Sequence, residues 1–363
     1  MKEKLQKYML RIAPFLTRLT LIAKQHAIVI LVCLFSFLLV FSGIYITASR
    51  NLAIRSVRWQ MSRLVPELNE IGLDIAYDGI KFNAMFFSPL IKINNLQIYN
   101  TTGDNRWSVS FDEIKAYPNI FGAPKIRFES NKNGKFTFNT FSGKMTMDDT
   151  FLDISHSENK LSEIVFHADD INIKDLAKIK KISFLVERLT SPKKTSSSST
   201  LPSYESFFEV NDVAINGLIN YPLSSDIKLI YAKSSLMGTI SPEEHLLTSL
   251  ETWLKDGGFI DVPNLIIQWE PLTLVGRGSV SFNEAFSPKI SFNTSSKGLL
   301  RLIDDLQKNE FLDSKNVFVA NILLSNKAFK INSEDPELTI TTPIGYSDGK
   351  ITIENLTIKD FSQ

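Results

Sequence analysis

Cysteine, histidine and glycine are scarce in this chain, and each scarcity excludes a class of function. One cysteine and four histidines among 363 residues rule out a disulfide framework and leave little material for a metal centre. Only 16 glycines occur, and no phosphate-binding glycine loop is present. The 40 basic residues are balanced by 39 acids, so no basic excess favours nucleic acid. We therefore expect no cofactor and no nucleic-acid partner.

No constellation of residues typical of an enzyme stands out either. The sequence contains no G-x-S-x-G nucleophile elbow and no H-E-x-x-H zinc motif. His156 and His167 lie near several acids, but their spacing does not force convergence on a metal ion. The adjacent acids Asp169 and Asp170 lie on a predicted strand, where neighbours point to opposite faces. We predict a protein that is not an enzyme and has no catalytic or metal-binding residues.

One uncharged stretch, residues 27–48, is long enough to cross a bilayer. As a helix its 22 residues would extend about 33 Å. More basic residues precede the stretch than follow it closely, which predicts that residues 1–26 lie in the cytoplasm. The alternative is a cleavable signal peptide, whose apolar core is usually shorter, about 7–15 residues. We expect a single-pass inner-membrane protein with most of its chain in the periplasm.

Residues 49–70 predict an amphipathic helix after the membrane span. Apolar side chains recur at helical spacing from Ile54 to Leu68, while Arg55 and Arg63 lie off that stripe. Two interpretations are open. The helix is either a stalk that packs on the first strands or a helix that rests on lipid headgroups through its arginines.

From residue 71 onward the hydrophobic period changes from 3.6 to 2, which is typical of β-strands. Five segments alternate clearly, and they are residues 125–129, 135–139, 279–282, 289–293 and 337–341. Four dipeptides between apolar segments predict turns, and they are Asn133-Gly134, Ser142-Gly143, Asn216-Gly217 and Asp348-Gly349. The glycines of Gly276-Arg277-Gly278 predict a place in a sheet where side chains would crowd.

An eight-residue pattern recurs in this region. Residues 91–98 (IKINNLQI) and 351–358 (ITIENLTI) share it, with apolar residues at places 1, 3, 6 and 8 and Asn at place 5. Looser copies occupy residues 109–116, 166–173, 208–215 and 260–267. Because the apolar places change phase in the middle, both halves can face one side only if the strand bends or bulges there. Asn and Asp tolerate that geometry, so the pattern predicts bent strands or tight hairpins.

Residues 190–203 are rich in Ser, Thr, Pro and Lys and predict a linker. The linker would separate a first β-rich lobe, residues 71–189, from a second one with helices, residues 204–363, unless both belong to one continuous sheet. Helices are predicted at residues 242–256 and 296–308, while residues 316–325 fit either helix or strand. The predicted fold class is a β-dominated α+β protein with an N-terminal transmembrane helix, a curved antiparallel sheet and a few packed helices.

Apolar side chains at alternating strand positions are the candidate site. They form either a filled core or an apolar groove that accepts acyl chains. The residues that would line such a groove are Ile126, Phe128, Phe136, Phe138, Val280, Phe282, Ile290 and Phe292.

The order of these features resembles AsmA- and TamB-type envelope proteins. The shared features are a basic N-terminus, one predicted span, an arginine-bearing amphipathic helix and strands built on I-x-I-x-N-L-x-I. Residues 264–282, 298–302 and 342–351 resemble an uncharacterised family of membrane-anchored alphaproteobacterial proteins. The resemblance implies lipid binding or transport and envelope homeostasis through a β-groove, with membrane lipids and envelope proteins as partners. The alternative is a structural or scaffold domain of an envelope assembly with a filled core.

Overall fold

The structure is a computed structural model that describes most of the chain after residue 71. It covers residues 72–360 and six isolated positions between 51 and 69, with gaps at 86–87, 102–105, 120–124, 140, 158–159, 190–200, 217–222, 241–245, 284–286, 310–313, 330–337 and 355. The predicted cytoplasmic segment and membrane span lie outside these residues, as do most of the predicted amphipathic helix and linker. Within the described ranges, no helix is both long and apolar enough to span a bilayer.

Antiparallel strands dominate the part of the chain that the structure describes, which confirms the predicted β-dominated fold. These strands are β1 (Leu73–Ala76), β2 (Gly79–Met85), β3 (Ser88–Asn100), β4 (Trp107–Pro118), β5 (Lys125–Ser130), β6 (Asn133–Phe138), β7 (Phe141–Ser157), β8 (Lys160–Ile173), β9 (Ala177–Arg188), β10 (Pro202–Ile215), β11 (Asp226–Met237), β12 (Phe259–Trp269), β13 (Leu272–Phe282), β14 (Pro288–Lys297), β15 (Ala328–Phe329), β16 (Thr339–Ser347), β17 (Lys350–Ile353) and β18 (Leu356–Asp360).

The strands form one sheet in which almost every strand pairs with its neighbours in the sequence. β1 and β2 pair with successive parts of β3, and β5 and β6 together fill the place between β4 and β7. From β7 to β14 each strand pairs with the next. β16 then pairs with β14 on one side and with β15 and β17 on the other, and β18 pairs with β17. The result is a long antiparallel meander.

The two sides of the predicted linker belong to this one sheet. β9 and β10 pair along their length, from Ala177 opposite Ile215 to Arg188 opposite Tyr204. The predicted linker also ends too late, because Pro202 and Ser203 lie in β10. The Leu189 amide donates a hydrogen bond of 2.9 Å to the Ser203 carbonyl and thereby extends the pairing beyond Tyr204.

Several copies of the eight-residue pattern bend as predicted. Asn95, Asp170 and Asp212 occupy its fifth place and have positive φ angles of 50°, 47° and 47°. In the copy near the C-terminus the positive φ falls one place earlier, at Glu354. The bend keeps the apolar places on one face, and the four such residues of β10 pack in one cluster: Phe208, Val210, Val213 and Ile215.

After residue 71, three helices lie within the described residues, α1 (Leu246–Lys255), α2 (Leu299–Lys308) and α3 (Ser314–Ser325). The second predicted helix begins too early, because residues 296 and 297 continue β14 and Gly298, with a φ of 73°, separates that strand from α2. The ambiguous segment 316–325 is helical. α2 and α3 pack with the end of the sheet in a core that includes Leu299, Ile303, Val317, Leu324, Ile340 and Ile353.

Two of the predicted turns are wrong. Asn133-Gly134 begins β6 and Ser142-Gly143 lies inside β7. A Cβ atom on Gly134 would lie 2.6 Å from the Ser110 carbonyl oxygen, and one on Gly143 would lie 2.8 Å from the Phe141 ring and 2.9 Å from the Lys174 carbonyl oxygen. These glycines therefore relieve crowding inside the sheet instead of reversing the chain. Asp348-Gly349 is confirmed as a hairpin turn between β16 and β17, with φ angles of 50° and 76°.

Candidate functional site

One face of the sheet is apolar from β2 to β12, and we call it the apolar face. Three clusters of buried and half-buried side chains lie on it, in β2–β5, in β4 and β6–β9, and in β9–β12. Phe111 belongs to the first two clusters, and Ile179 and Ile182 belong to the last two. The three clusters therefore form one continuous apolar surface.

On the apolar face, side chains pack against side chains of neighbouring strands in the same sheet. Each of these three clusters consists of side chains from strands that are close neighbours in the strand order. In a β-sandwich, by contrast, side chains from two separate sheets interdigitate. Among the described residues, none of the three joins strands from distant parts of the meander, so they do not form the interior of a sandwich.

A row of large side chains crosses the apolar face, and we call it the phenylalanine row. Its members stand directly opposite one another on five neighbouring strands, in the order Phe128, Leu152, Phe166, Phe184 and Phe208. Directly opposed residues of antiparallel strands have side chains on the same face and within contact distance. All five are half-buried, so each retains accessible apolar surface.

Four predicted groove residues lie in β5 and β6. Ile126 is buried in the first cluster, and Phe128 packs against that cluster. Phe136 packs against the second cluster. Phe138 is 43% exposed and stands opposite Trp107 at the end of β6. The structure thus places three of these residues on the apolar face and leaves the fourth at its margin.

The other four predicted residues meet on β13 and β14. Val280 stands opposite Ile290, and Phe292 stands between Gly278 and Ile344 of the neighbouring strands. Phe282 ends β13 opposite Pro288. All four are half-buried. This second group continues the apolar face, because Val280 also stands opposite Ile260 of β12.

The residues of β8 to β10 are absent from the predicted set. Phe166, Phe184 and Phe208 are the last three members of the phenylalanine row, and the predicted set did not include them. Two of them begin copies of the eight-residue pattern, at residues 166–173 and 208–215. That pattern could have identified them, because its first place is always apolar and lies on the same face as its third.

The opposite face, which we call the polar face, carries charged pairs beside one apolar pocket, and it contains a buried carboxylate. The Asp153 side chain is 3% exposed, and Arg127 donates two hydrogen bonds of 2.7 Å to it. Lys125 Nζ lies 2.9 Å from the same carboxylate. Burial by itself would raise the pKa of Asp153, but hydrogen bonds from Arg127 and Lys125 outweigh it and hold that pKa below its ordinary value.

His167 lies on the polar face beside a shallow pocket. Its Nε2 is 3.1 Å from an Asp169 carboxylate oxygen, and its Nδ1 is 3.1 Å from the Ser183 hydroxyl. The pocket has a volume of about 250 Å³, and its mostly apolar lining includes Phe151, Phe207 and Tyr231. Nowhere in the described ranges do three or more His, Cys, Asp or Glu side chains gather to hold a metal ion.

Fold and site together define a class of protein in which a meandering antiparallel sheet has an extended apolar face and a polar, charge-paired face. Residues 101–358, well over half of the chain, match the family described as "Uncharacterized protein conserved in bacteria (DUF2125)". The chain belongs to this family, which confirms the expected membership of an uncharacterised family. No match is found among curated proteins.

Proposed function

We propose that this protein binds the acyl chains of membrane lipids along its apolar face. In this proposal it is an envelope protein of the AsmA- and TamB-like kind, involved in lipid transport or envelope homeostasis. The observation that carries the proposal is the phenylalanine row, whose opposed side chains Phe166, Phe184 and Phe208 remain half-buried on a continuous apolar surface.

The dimensions of the row suit an acyl chain. Strands are spaced by about 4.8 Å, so the four steps from Phe128 to Phe208 extend about 19 Å. One leaflet of a bilayer has a hydrocarbon thickness of about 15 Å, half of the bilayer core. A lipid tail of that length would cover most of the row, and each methylene removed from water would contribute about 0.8 kcal/mol.

A membrane span at residues 27–48 would bring a source of lipid close to the sheet. In our proposal the span anchors the chain in the inner membrane, residues 1–26 are cytoplasmic and the sheet is periplasmic. The uncharged run and the basic bias before it support this arrangement. Envelope proteins that deliver or receive lipid are the partners this function would require.

Phe207 and Phe208 offer a matched test. They are adjacent in β10 and both half-buried, but Phe208 packs on the apolar face and Phe207 lines the pocket on the polar face. We expect native mass spectrometry of the full chain to detect co-purified phospholipid in the wild type and in Phe207→Ser. We expect Phe208→Ser to lose that phospholipid while its melting temperature stays close to that of Phe207→Ser.

The alternative function, a scaffold with a filled core, is favoured by the first cluster. Ile91 and Ile93 are 0% and 2% exposed there, as in a closed interior. If the phenylalanine row were such an interior, Phe208→Ser should cost roughly 3–5 kcal/mol, as large-to-small core substitutions do. The scaffold function would be supported, and lipid binding rejected, by either of two results. One is a Phe208→Ser variant that unfolds while Phe207→Ser stays folded, and the other is a wild-type protein that carries no phospholipid.

A further inference from the structure

Helix α3 exposes large apolar side chains on the side that does not pack in the core. Phe318 is 67% exposed, Ile322 49%, Leu323 42% and Val319 38%. The four residues lie at positions i, i+1, i+4 and i+5 and form one stripe along the helix. We call them the α3 stripe. Exposed apolar patches of this kind mark interaction surfaces.

The opposite side of α3 holds the helix in place. Val317, Ala320 and Leu324 are 1–2% exposed in the core that α3 shares with α2. The Asn321 amide nitrogen donates a hydrogen bond of 2.8 Å to Asp304 of α2. The helix cannot roll to bury the α3 stripe without losing these contacts, so the stripe is a fixed feature of the surface.

The exposed area is too small for a stable dimer. Since a phenylalanine side chain has an area of about 200 Å² and the other three side chains are somewhat smaller, the exposed fractions of the α3 stripe amount to roughly 350 Å². A stable protein interface buries about 800 Å² on each partner. A second copy of the chain is therefore not the occupant that we infer.

We propose that α3 rests on the surface of a lipid bilayer, with the α3 stripe in the boundary between headgroups and acyl chains. No ionisable residue occurs between positions 317 and 325, and Asn321 is turned toward α2. The stripe thus offers no hydrogen-bonding side chains, whereas a protein interface forms about one hydrogen bond per 100–200 Å². A helix of 12 residues is about 18 Å long, too short to span a bilayer, and lies in its plane.

Because we propose that the chain is anchored at residues 27–48, even a weak contact between α3 and the bilayer is enough to hold α3 there. A short apolar helix alone associates only marginally with a membrane, and stable association takes two attachments. The predicted span at residues 27–48 is the first, and it raises the effective concentration of α3 at the bilayer. This inference rests on the proposed anchor but not on lipid binding by the phenylalanine row, which uses other residues on other elements.

Site-specific fluorescence in the full chain tests the proposal. Cys33 is the one cysteine of the chain and lies inside the predicted span, so a nitrobenzoxadiazole label there reports on the anchor. The stripe is labelled in Cys33→Ser backgrounds that carry Phe318→Cys or Ile322→Cys. Cys33→Ser with Ser291→Cys is the matched control, because Ser291 is exposed on the polar side of β14. Each protein is reconstituted in vesicles of phosphatidylethanolamine and phosphatidylglycerol, with nitroxide lipid in the host vesicles or in added vesicles.

We expect nitroxide lipid to cause a loss of emission at positions 318 and 322 and none at position 291. A loss of emission supports the proposal whether the nitroxide lipid is in the host vesicles or in the added vesicles, and the vesicles that cause it identify the bilayer that α3 contacts. This conclusion does not depend on the signal from the label at Cys33. No loss at 318 and 322 overturns it, and quenching at Cys33 in the same series leaves the anchor intact. A blue shift without quenching that grows with protein concentration also overturns it, in favour of self-association.

Discussion

The ring of Phe292 lies against Gly278, its partner across the β13–β14 ladder. A Cβ atom placed on Gly278 would overlap the Ser291 carbonyl oxygen and lie 2.9 Å from Phe292 Cγ. Glycine is therefore required for the two strands to approach with this side chain between them. The crowding predicted for Gly276-Arg277-Gly278 is confirmed at this position.

Gly278→Ala should destabilise the fold by about 1–3 kcal/mol, because the added methyl group overpacks a position with backbone on its near side. Gly79→Ala is the matched control, since nothing lies within 4 Å of a Cβ built there, and it should change stability by less than about 0.5 kcal/mol. Urea unfolding of the full chain, followed by tryptophan fluorescence, measures both. Equal midpoints would show that β13 and β14 are not packed this closely.

Asp153→Asn should lower stability by roughly 1–3 kcal/mol near neutral pH, because Arg127 and Lys125 lose a buried, charged acceptor. The folded state lowers the pKa of Asp153. The stabilisation is therefore complete above the unfolded pKa, about 3.9, and is lost as the pH falls through the lower folded value.

Unfolding measured from pH 7 to pH 2.5 should accordingly show the wild type and Asp153→Asn converging at the acidic end. Asp148→Asn is the control in the same strand, because the Asp148–Lys132 ion pair is exposed and such pairs contribute about 0–1 kcal/mol. A wild-type advantage that persists unchanged to the lowest pH would contradict the assignment of Asp153 as a paired carboxylate.

Asp212→Val should destabilise by about 1–2 kcal/mol, because a β-branched residue does not tolerate the positive φ at the bend of β10. Asp212→Gly should keep the wild-type stability, and Lys178→Val, at an exposed position of β9, should change little. Thermal unfolding of the three variants gives the comparison. If valine were accepted at position 212, the bend would not depend on the left-handed conformation.

Alkaline phosphatase fused after Gln363 should be active in a Gram-negative host, as the proposed topology places the C-terminus in the periplasm. Carbonate washing should leave the full chain in the membrane fraction. An inactive fusion, together with an active cytoplasmic reporter at the same site, would reverse the orientation. A washed-out product that starts near Ser49 would identify a cleaved signal peptide.

Local patterns predicted the elements of this fold well. Period-2 alternation located β5, β13 and β14, and the eight-residue pattern located bends at Asp170 and Asp212. Both signals come from the alternation of apolar and polar residues along a single strand. That alternation can be read from residues that are adjacent in the sequence. The same locality explains the errors at Gly134 and Gly143, whose role depends on atoms that crowd them only in the folded sheet, the Ser110 carbonyl oxygen at Gly134 and the Lys174 carbonyl oxygen at Gly143.

The phenylalanine row could not be predicted because it exists only after pairing. Phe166 and Phe184 become neighbours through the register of β8 with β9, which a single sequence does not specify. Pairing between strands also explains why Pro202 and Ser203 were not predicted to lie in β10. Their composition resembles the preceding serine-rich stretch, and only the pairing with β9 distinguishes them from it.

The meander also has a consequence for the order in which the chain folds. Nearly every strand pairs with one that precedes it closely in the sequence, so little loop-closure entropy is lost at each step. During synthesis the sheet can therefore grow strand by strand from its N-terminal side, each new strand completing the open edge left by the last. β12 and β16 must wait longer, because α1 separates β12 from its partner β11 and the two helices α2 and α3 separate β16 from its partner β14.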